Sequence, residues 1–169
     1  MSKLFYSRLT LGIAGGILAL ATAIGGFALR PGPANAAQYN TFSGCSQAAA
    51  AGDWGYTYNG NIMTQSGAVP VASVGRFTQD AAGHVKGTQN RNLGGTFGFE
   101  EIRGQIIIRT NCTAEMVAGV YQAGVLQRTA HIDGVYDSTE NHLRLIFEKL
   151  VNPDGSQIPV VITIDGTRL

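Results

Sequence analysis

Residues 74–87 read Val-Gly-Arg-Phe-Thr-Gln-Asp-Ala-Ala-Gly-His-Val-Lys-Gly, and the reading of this stretch decides the fold. Two extended runs flank Asp80-Ala81-Ala82-Gly83. Side chains alternate along a strand, so Val74, Arg76 and Thr78 face one side and Gly75, Phe77 and Gln79 the other. Asp80 can accept hydrogen bonds from the turn backbone, and Gly83 can take the positive φ that closes a four-residue loop. The stretch is a β-hairpin.

Units of the same kind extend in both directions. Upstream, Trp54-Gly55-Tyr56-Thr57-Tyr58-Asn59 places Trp54, Tyr56 and Tyr58 on one side of a strand. Core packing is the expected role of this aromatic stripe, and ligand stacking is the alternative. Residues 61–68 read as a polar loop. Residues 69–79 and 84–90 are the arms of the opening hairpin, with Pro70 near the start, where a missing N–H does least harm. Residues 91–95 read as a turn. Residues 96–101 and 105–110 read as a pair around Ile102-Arg103-Gly104, and 113–121 pairs with 125–135 across Gln122-Ala123-Gly124. Residues 142–151 and 158–167 pair across Asn152-Pro153-Asp154-Gly155, a strong turn signal. A helix over 142–150 would gather Leu143, Ile146 and Leu150. Leu143, Leu145 and Phe147 alternate equally well among neighbouring strands, so strand is favoured. Eight or nine strands at near-regular spacing leave no room for crossover helices and predict an antiparallel meander. The expected fold is all-β, an up-and-down barrel of about eight strands, because closure removes exposed edges.

Composition agrees. Of 169 residues, 23 are Gly, 5 are Pro and 14% are charged. The glycines fall at turns without a fixed period, which excludes a collagen-like or disordered chain and suits one compact domain. Lys3, Arg8 and Arg30 precede residue 37 with no acid beside them; of 12 basic residues this leaves nine, against 11 acids. No basic face forms, so a nucleic-acid partner is disfavoured, and the bases are spaced too singly for a polybasic membrane patch.

The N-terminus has a different character. Lys3 and Arg8 precede an uncharged apolar run over 11–29, then Arg30-Pro31-Gly32-Pro33 and Ala34-Asn35-Ala36-Ala37. This order is that of a signal peptide spanning 1–36, cleaved after Ala36. The alternative is an uncleaved anchor, since the run is about long enough to span a bilayer, although Gly12, Gly15, Gly16, Gly25 and Gly26 dilute it. Phe42-Ser43-Gly44-Cys45 looks like a lipoprotein box, but a polar stretch separates it from the apolar run, so lipidation of Cys45 is not expected. Residues 37–53 read as a linker with a short helical turn in the Ala-rich segment 46–51, and 54–169 as the barrel domain. The expected location is secreted or periplasmic, with no membrane association after cleavage.

Cys45 and Cys112 are the only cysteines. In an exported chain an even count reads as a disulfide. The two lie 67 residues apart, and closing such a loop contributes roughly 4 kcal/mol at most. A catalytic thiol is the sharper alternative, but no histidine is placed beside either cysteine. Asn111-Cys112-Thr113 matches a glycosylation sequon, with its central residue better explained as bridged.

The mature chain resembles a group of small secreted bacterial proteins with an allene oxide cyclase barrel-like domain. The resemblance rests on Cys45, Gly52-Asp53-Trp54-Gly55-Tyr56, Val74-Gly75-Arg76-Phe77, Asp80 with Gly83, and Asn111-Cys112-Thr113, and covers the chain from about Cys45 to its end. It implies a calycin-type barrel of about eight strands with the two matched cysteines bridged. The plant cyclases isomerise an unstable fatty-acid epoxide inside the barrel. No residue here is matched to their catalytic positions, so fold is implied and activity is not.

Signals for chemistry are sparse. His84, His131 and His142 lack the clustering a metal site needs, so no metal and no organic cofactor is expected. Glu100 and Glu101 are adjacent and must point to opposite faces of a strand. Whichever points inward would have its pKa raised by burial, unless Arg103 or Arg109 neutralises it, which is the favoured reading. Gly94-Gly95 is a hairpin turn, not a phosphate cradle, because no helix follows it. The main reading is a binding module holding a small apolar ligand inside the barrel, with Tyr56, Tyr58, Glu100 and Arg128 as candidate polar contacts. The alternatives are a cofactor-free, isomerase-like enzyme in the same cavity and a structural or interaction protein with a filled barrel. No acid or base can be positioned for catalysis. The interior discriminates between hollow and filled: small residues argue for a cavity, whereas Trp54, Tyr56, Phe77, Phe97 and Phe99 all pointing inward argue against one.

Overall fold

The computed structural model describes residues 44–169. The expected signal peptide, its expected cleavage point after Ala36 and the first part of the expected linker lie outside the described residues. Nine strands follow one another: β1 (Gly52–Thr64), β2 (Gly67–Gln79), β3 (His84–Leu93), β4 (Thr96–Ile108), β5 (Thr113–Gln122), β6 (Val125–Tyr136), β7 (His142–Val151), β8 (Gln157–Ile158) and β9 (Val160–Arg168). Each of β1 to β6 pairs antiparallel with the next, β6 pairs with β7, β7 with β9, and β9 with β1. Eight strands thus close an up-and-down barrel, and the short β8 is an extra strand on β7.

The opening hairpin has the geometry its residues dictate. Ser73, Phe77 and Gln79 are buried, while Val74, Arg76 and Thr78 are exposed. The Asp80 carboxylate accepts from the N–H groups of Ala82 (2.9 Å) and His84 (2.8 Å), and Gly83 takes φ 86°. Gly75 serves close approach. A Cβ there would lie 2.6 Å from the Tyr56 ring and hydroxyl, so the inward tyrosine of β1 lies flat across β2 only because residue 75 has no side chain.

Several local expectations are corrected. Residues 61–68 are not a loop: Asn61 pairs with Pro70 and Thr64 with Gly67, so β1 and β2 run on to a tight turn at Gln65-Ser66. Polar side chains are tolerated here because the strands project past the core. Residues 91–95 are not all turn: β3 continues to Leu93, and Gly94 and Gly95, both at positive φ, suffice for the reversal. Residues 96–108 are not a hairpin but one strand, β4, and Arg109 and Thr110 lie in the turn that follows it. Ile102 and Ile106 keep its inward phase, and Gly104 pairs on both sides, with Val85 and with Ala118. The glycine there permits close packing and does not reverse the chain, since a Cβ would meet the Val117 carbonyl oxygen at 2.3 Å. The last expected strand is broken at Pro159, whose carbonyl accepts from the Met63 N–H (2.8 Å).

One end of the barrel is closed by the segment before β1. Residues 47–50 form a turn, with the Ala50 N–H donating to the Ser46 carbonyl (3.1 Å). Trp54 is fully buried beneath it and donates its indole N–H to the Ala50 carbonyl (3.1 Å). Phe77 stacks on the indole (6.2 Å between centroids) and Tyr136 meets it edge-on (5.3 Å). Gln47 imitates a strand edge: its amide N–H donates to the Ile106 carbonyl (2.5 Å) and its oxygen accepts from the Ile108 N–H (2.9 Å). Arg168 clamps the segment by donating to the carbonyls of Ala51 (2.7 Å) and Ala49 (2.6 Å). The Cys45–Cys112 disulfide ties it to the turn before β5. Such a bond persists in oxidising compartments.

Candidate functional site

Inside the barrel, away from the Trp54 end, lies a cavity of about 50 Å³. Its body is apolar, with Ile132, Leu145 and Ile164 on the walls. Ala118 and Ala130 pair with each other across β5 and β6, and both face inward, which leaves space that larger side chains would fill. Phe97 and Phe99 are 69% and 56% exposed and point out of the barrel. Only Trp54, Tyr56 and Phe77 of the five discriminating aromatics point in, so the barrel is not filled from wall to wall. Ligand pockets commonly run to ~300–1,000 Å³. This one is narrower, suited to a few waters or a slim chain.

One side of the cavity carries a polar cluster drawn from four strands. Tyr56 and Tyr58 come from β1, Gln89 and Arg91 from β3, Glu100 from β4 and Arg128 from β6. Gln89 and Glu100 are direct cross-strand partners. The Tyr56 hydroxyl donates to Gln89 Oε1 (2.7 Å), and Gln89 Nε2 donates to Glu100 Oε2 (2.7 Å). Gln89 Nε2 also lies 3.4 Å from the Tyr58 oxygen. Arg91 Nε donates to Glu100 Oε1 (2.9 Å) and Arg128 Nη2 to Glu100 Oε2 (2.5 Å). Glu100 is 2% exposed and receives three side-chain donors.

The expected neutralising partners of the inward glutamate are therefore wrong. Arg103 pairs with the outward Glu101 (2.7 Å), and Arg109 with Glu115 (2.8 Å). Sequence distance misleads here, because an antiparallel barrel brings β3 and β6 to β4 while residues two apart on one strand share a face. Neutralisation by arginine, the favoured expectation, is met by Arg91 and Arg128 in place of the two that were named. Burial does push the Glu100 carboxyl up, but hydrogen bonding and charge from Arg128, the Gln89 amide and the charge of Arg91 outweigh it, holding Glu100 below the usual carboxylate range. Tyr56 is pushed up by burial and by neighbouring Tyr58 and Glu100. Tyr58 is pushed up by burial, against the opposing pull of Arg128. Both hydroxyls stay protonated at neutral pH.

Of the four candidate residues, Tyr56, Tyr58 and Arg128 line the cavity; Glu100 does not, and instead holds the groups that do. Gln89 and Arg91 were not singled out from sequence. Gln89 had a usable signal, a polar residue in phase with inward Val85 and Gly87. Arg91 sits between Asn90 and Asn92 in a run that reads as a turn. Among the histidines, His84 is exposed and faces Asp80 (2.9 Å), and His142 lies 3.1 Å from Asp165.

No protein-family model matches the chain, and no curated protein matches it. Among solved structures the chain is similar to a redesigned beta barrel, with 16% identity, a TM-score of 0.46, and coverage of 75% of this chain and 99% of that one. It is also similar to EF1p2_mFAP2b bound to DFHBI, with 13% identity, a TM-score of 0.49, and coverage of 72% and 94%. The barrel itself rests on the strand pairing above; no ligand or activity follows from likenesses of this size.

Proposed function

We propose that the mature protein is an exported binding module that holds a small, mostly apolar molecule inside its barrel. The observation that carries this reading is the cavity: apolar along its body, polar on one side, and bounded at one end by a packed plug. Tyr56, Tyr58 and Arg128 orient the ligand, and Glu100 keeps the cluster assembled. The chain is read as beginning at Ala37 after removal of 1–36, in a compartment where Cys45 and Cys112 stay oxidised. The resemblance to allene oxide cyclase barrel-like proteins belongs to the same reading, as a calycin-type barrel without the cyclase activity.

The test is titration of an environment-sensitive apolar fluorophore into protein recovered from outside the cytoplasm, with its N-terminus sequenced. Saturable fluorescence enhancement, competed by small apolar compounds, is expected, on a chain that begins at Ala37. Absence of any saturable binding would leave the structural or interaction reading in its place. Recovery of intact Met1 in membranes would replace export by anchoring.

A further inference from the structure

The polar side of the cavity is unbalanced in charge and in hydrogen-bonding sense. Arg91 and Arg128 both pair with the single carboxylate of Glu100, which leaves one net positive charge in the cluster. Their side chains are only 19% and 12% exposed, so water screens that charge poorly. Each guanidinium presents a fork of N–H donors, yet each gives a single side-chain hydrogen bond here, through Arg91 Nε and Arg128 Nη2. Each local acceptor oxygen is already engaged. Glu100 Oε1 receives Arg91, Glu100 Oε2 receives Gln89 and Arg128, and Gln89 Oε1 receives Tyr56. Tyr58, whose hydroxyl lies where both arginine charges act on it, accepts from Gln89 (3.4 Å) and has the Ser73 hydroxyl as its neighbour across the strand pair. The surplus is of donors and of positive charge, facing a narrow apolar space.

We propose that the ligand is a slim amphiphile with one singly charged anionic head, a carboxylate, seated between Arg91, Arg128 and the Tyr58 hydroxyl. This rests on the cavity-binding reading above and adds its chemical class. A carboxylate fits for three reasons. It is acceptor-only when ionised, it matches the planar guanidinium fork, and its one charge cancels the residual charge of the cluster. A neutral alcohol would leave most of the donors unused, and an ammonium would add a second uncompensated cation.

The test is a head-group series on the wild-type chain, reading displacement of the apolar fluorophore by octanoate, methyl octanoate, 1-octanol and octylammonium. Octanoate is expected to compete on the order of tenfold or more better than 1-octanol or the ester, with octylammonium weakest, because charge-assisted hydrogen bonds are the stronger class. Arg91→Gln and Arg128→Gln should each erase the octanoate advantage, and Glu100→Gln should increase it. If the fluorophore binds but the head groups are indistinguishable, or octylammonium competes best, the anionic-head proposal is overturned and the apolar-binding reading stands. Failure of the fluorophore and of the whole series to bind overturns both. The wild-type series decides the matter even where an arginine variant does not fold.

Discussion

The two ends of the barrel interior are built from the same strands and do opposite work. At one end Trp54, Phe77 and Tyr136 meet ring to ring, the segment before β1 lies over them, and the space is consumed. Toward the other end, β1 presents Tyr58 where it had presented Trp54, and β5 and β6 present Ala118 and Ala130. The interior there opens. Polar groups follow the same division. Gln79 at the packed end accepts from Tyr136 (3.1 Å), but its amide nitrogen finds no partner among the described residues. Around Glu100 the carboxylate oxygens are both engaged and donors are left over. The packed end contributes stability through area removed from water. The open part gives some of that up and carries a charge arrangement that makes sense only toward something else.

The most severe way to break this contrast is to open the packed end. Trp54→Ala removes a fully buried indole together with its hydrogen bond to Ala50. Loss of a large aromatic from a core costs about 3–5 kcal/mol, a large part of the ~5–15 kcal/mol a domain of this kind has. Urea denaturation should show the unfolding free energy lowered by that amount. A shift below about 1 kcal/mol would mean that the segment before β1 does not depend on the indole.

At the other end the contrast appears as pH dependence. Glu100 is held below its ordinary value of 4.5 in the folded protein. A carboxyl depressed on folding contributes stability that is fully present above its unfolded pKa, and that contribution is lost as pH falls through the folded pKa. Glu100→Gln deletes the charge, leaving Arg91 and Arg128 facing each other without it. The wild type should therefore exceed the variant by about 1.5–3 kcal/mol at neutral pH, the range for hydrogen bonds to charged groups. That margin should shrink below about pH 4.5. Denaturation curves for both proteins from pH 7 to pH 3 would measure it. A margin that grows on acidification would show that Glu100 is protonated in the folded state.

How much of this was legible follows from what alternation can carry. Period-two patterning put Trp54, Tyr56 and Tyr58 on one side of a strand and set Val74, Arg76 and Thr78 opposite Phe77 and Gln79; barrel closure decides which side is inward, and the alternation runs through β2 from Val69 onward. Turn chemistry was legible at Asp80 with Gly83 and at Asn152 to Gly155. It misled at Gly104, because a glycine that lets two neighbouring backbones close on a strand looks the same in sequence as one that reverses the chain. The cluster was half legible. Tyr56, Glu100 and Arg128 could be placed in strands, but which arginines meet Glu100 depends on barrel closure and register, and no local spacing encodes that. Arg91 was hidden because the polar run around it belongs to a strand end, where turns and strands share a composition.

The smallest expected effect tests the point at which hollow and filled barrels diverge. Phe97 and Phe99 share a strand with Glu100, and in sequence they look like core residues. Their side chains stand on the outer face, beside Asn92 and Asn90 of β3. Replacing both by threonine introduces a β-branched residue suited to a half-exposed strand and removes little buried area. Surface changes of this kind usually fall within about 0.5 kcal/mol per site. The double variant should therefore unfold near the wild-type midpoint and bind the fluorophore unchanged. Phe77→Ala, two strands away but inward, should cost several-fold more, since it strips the stacking partner from Trp54. If the outer pair proved as costly as Phe77, those rings would be filling the interior. The cavity, and the donor-rich wall that faces it, would then have no room for a ligand.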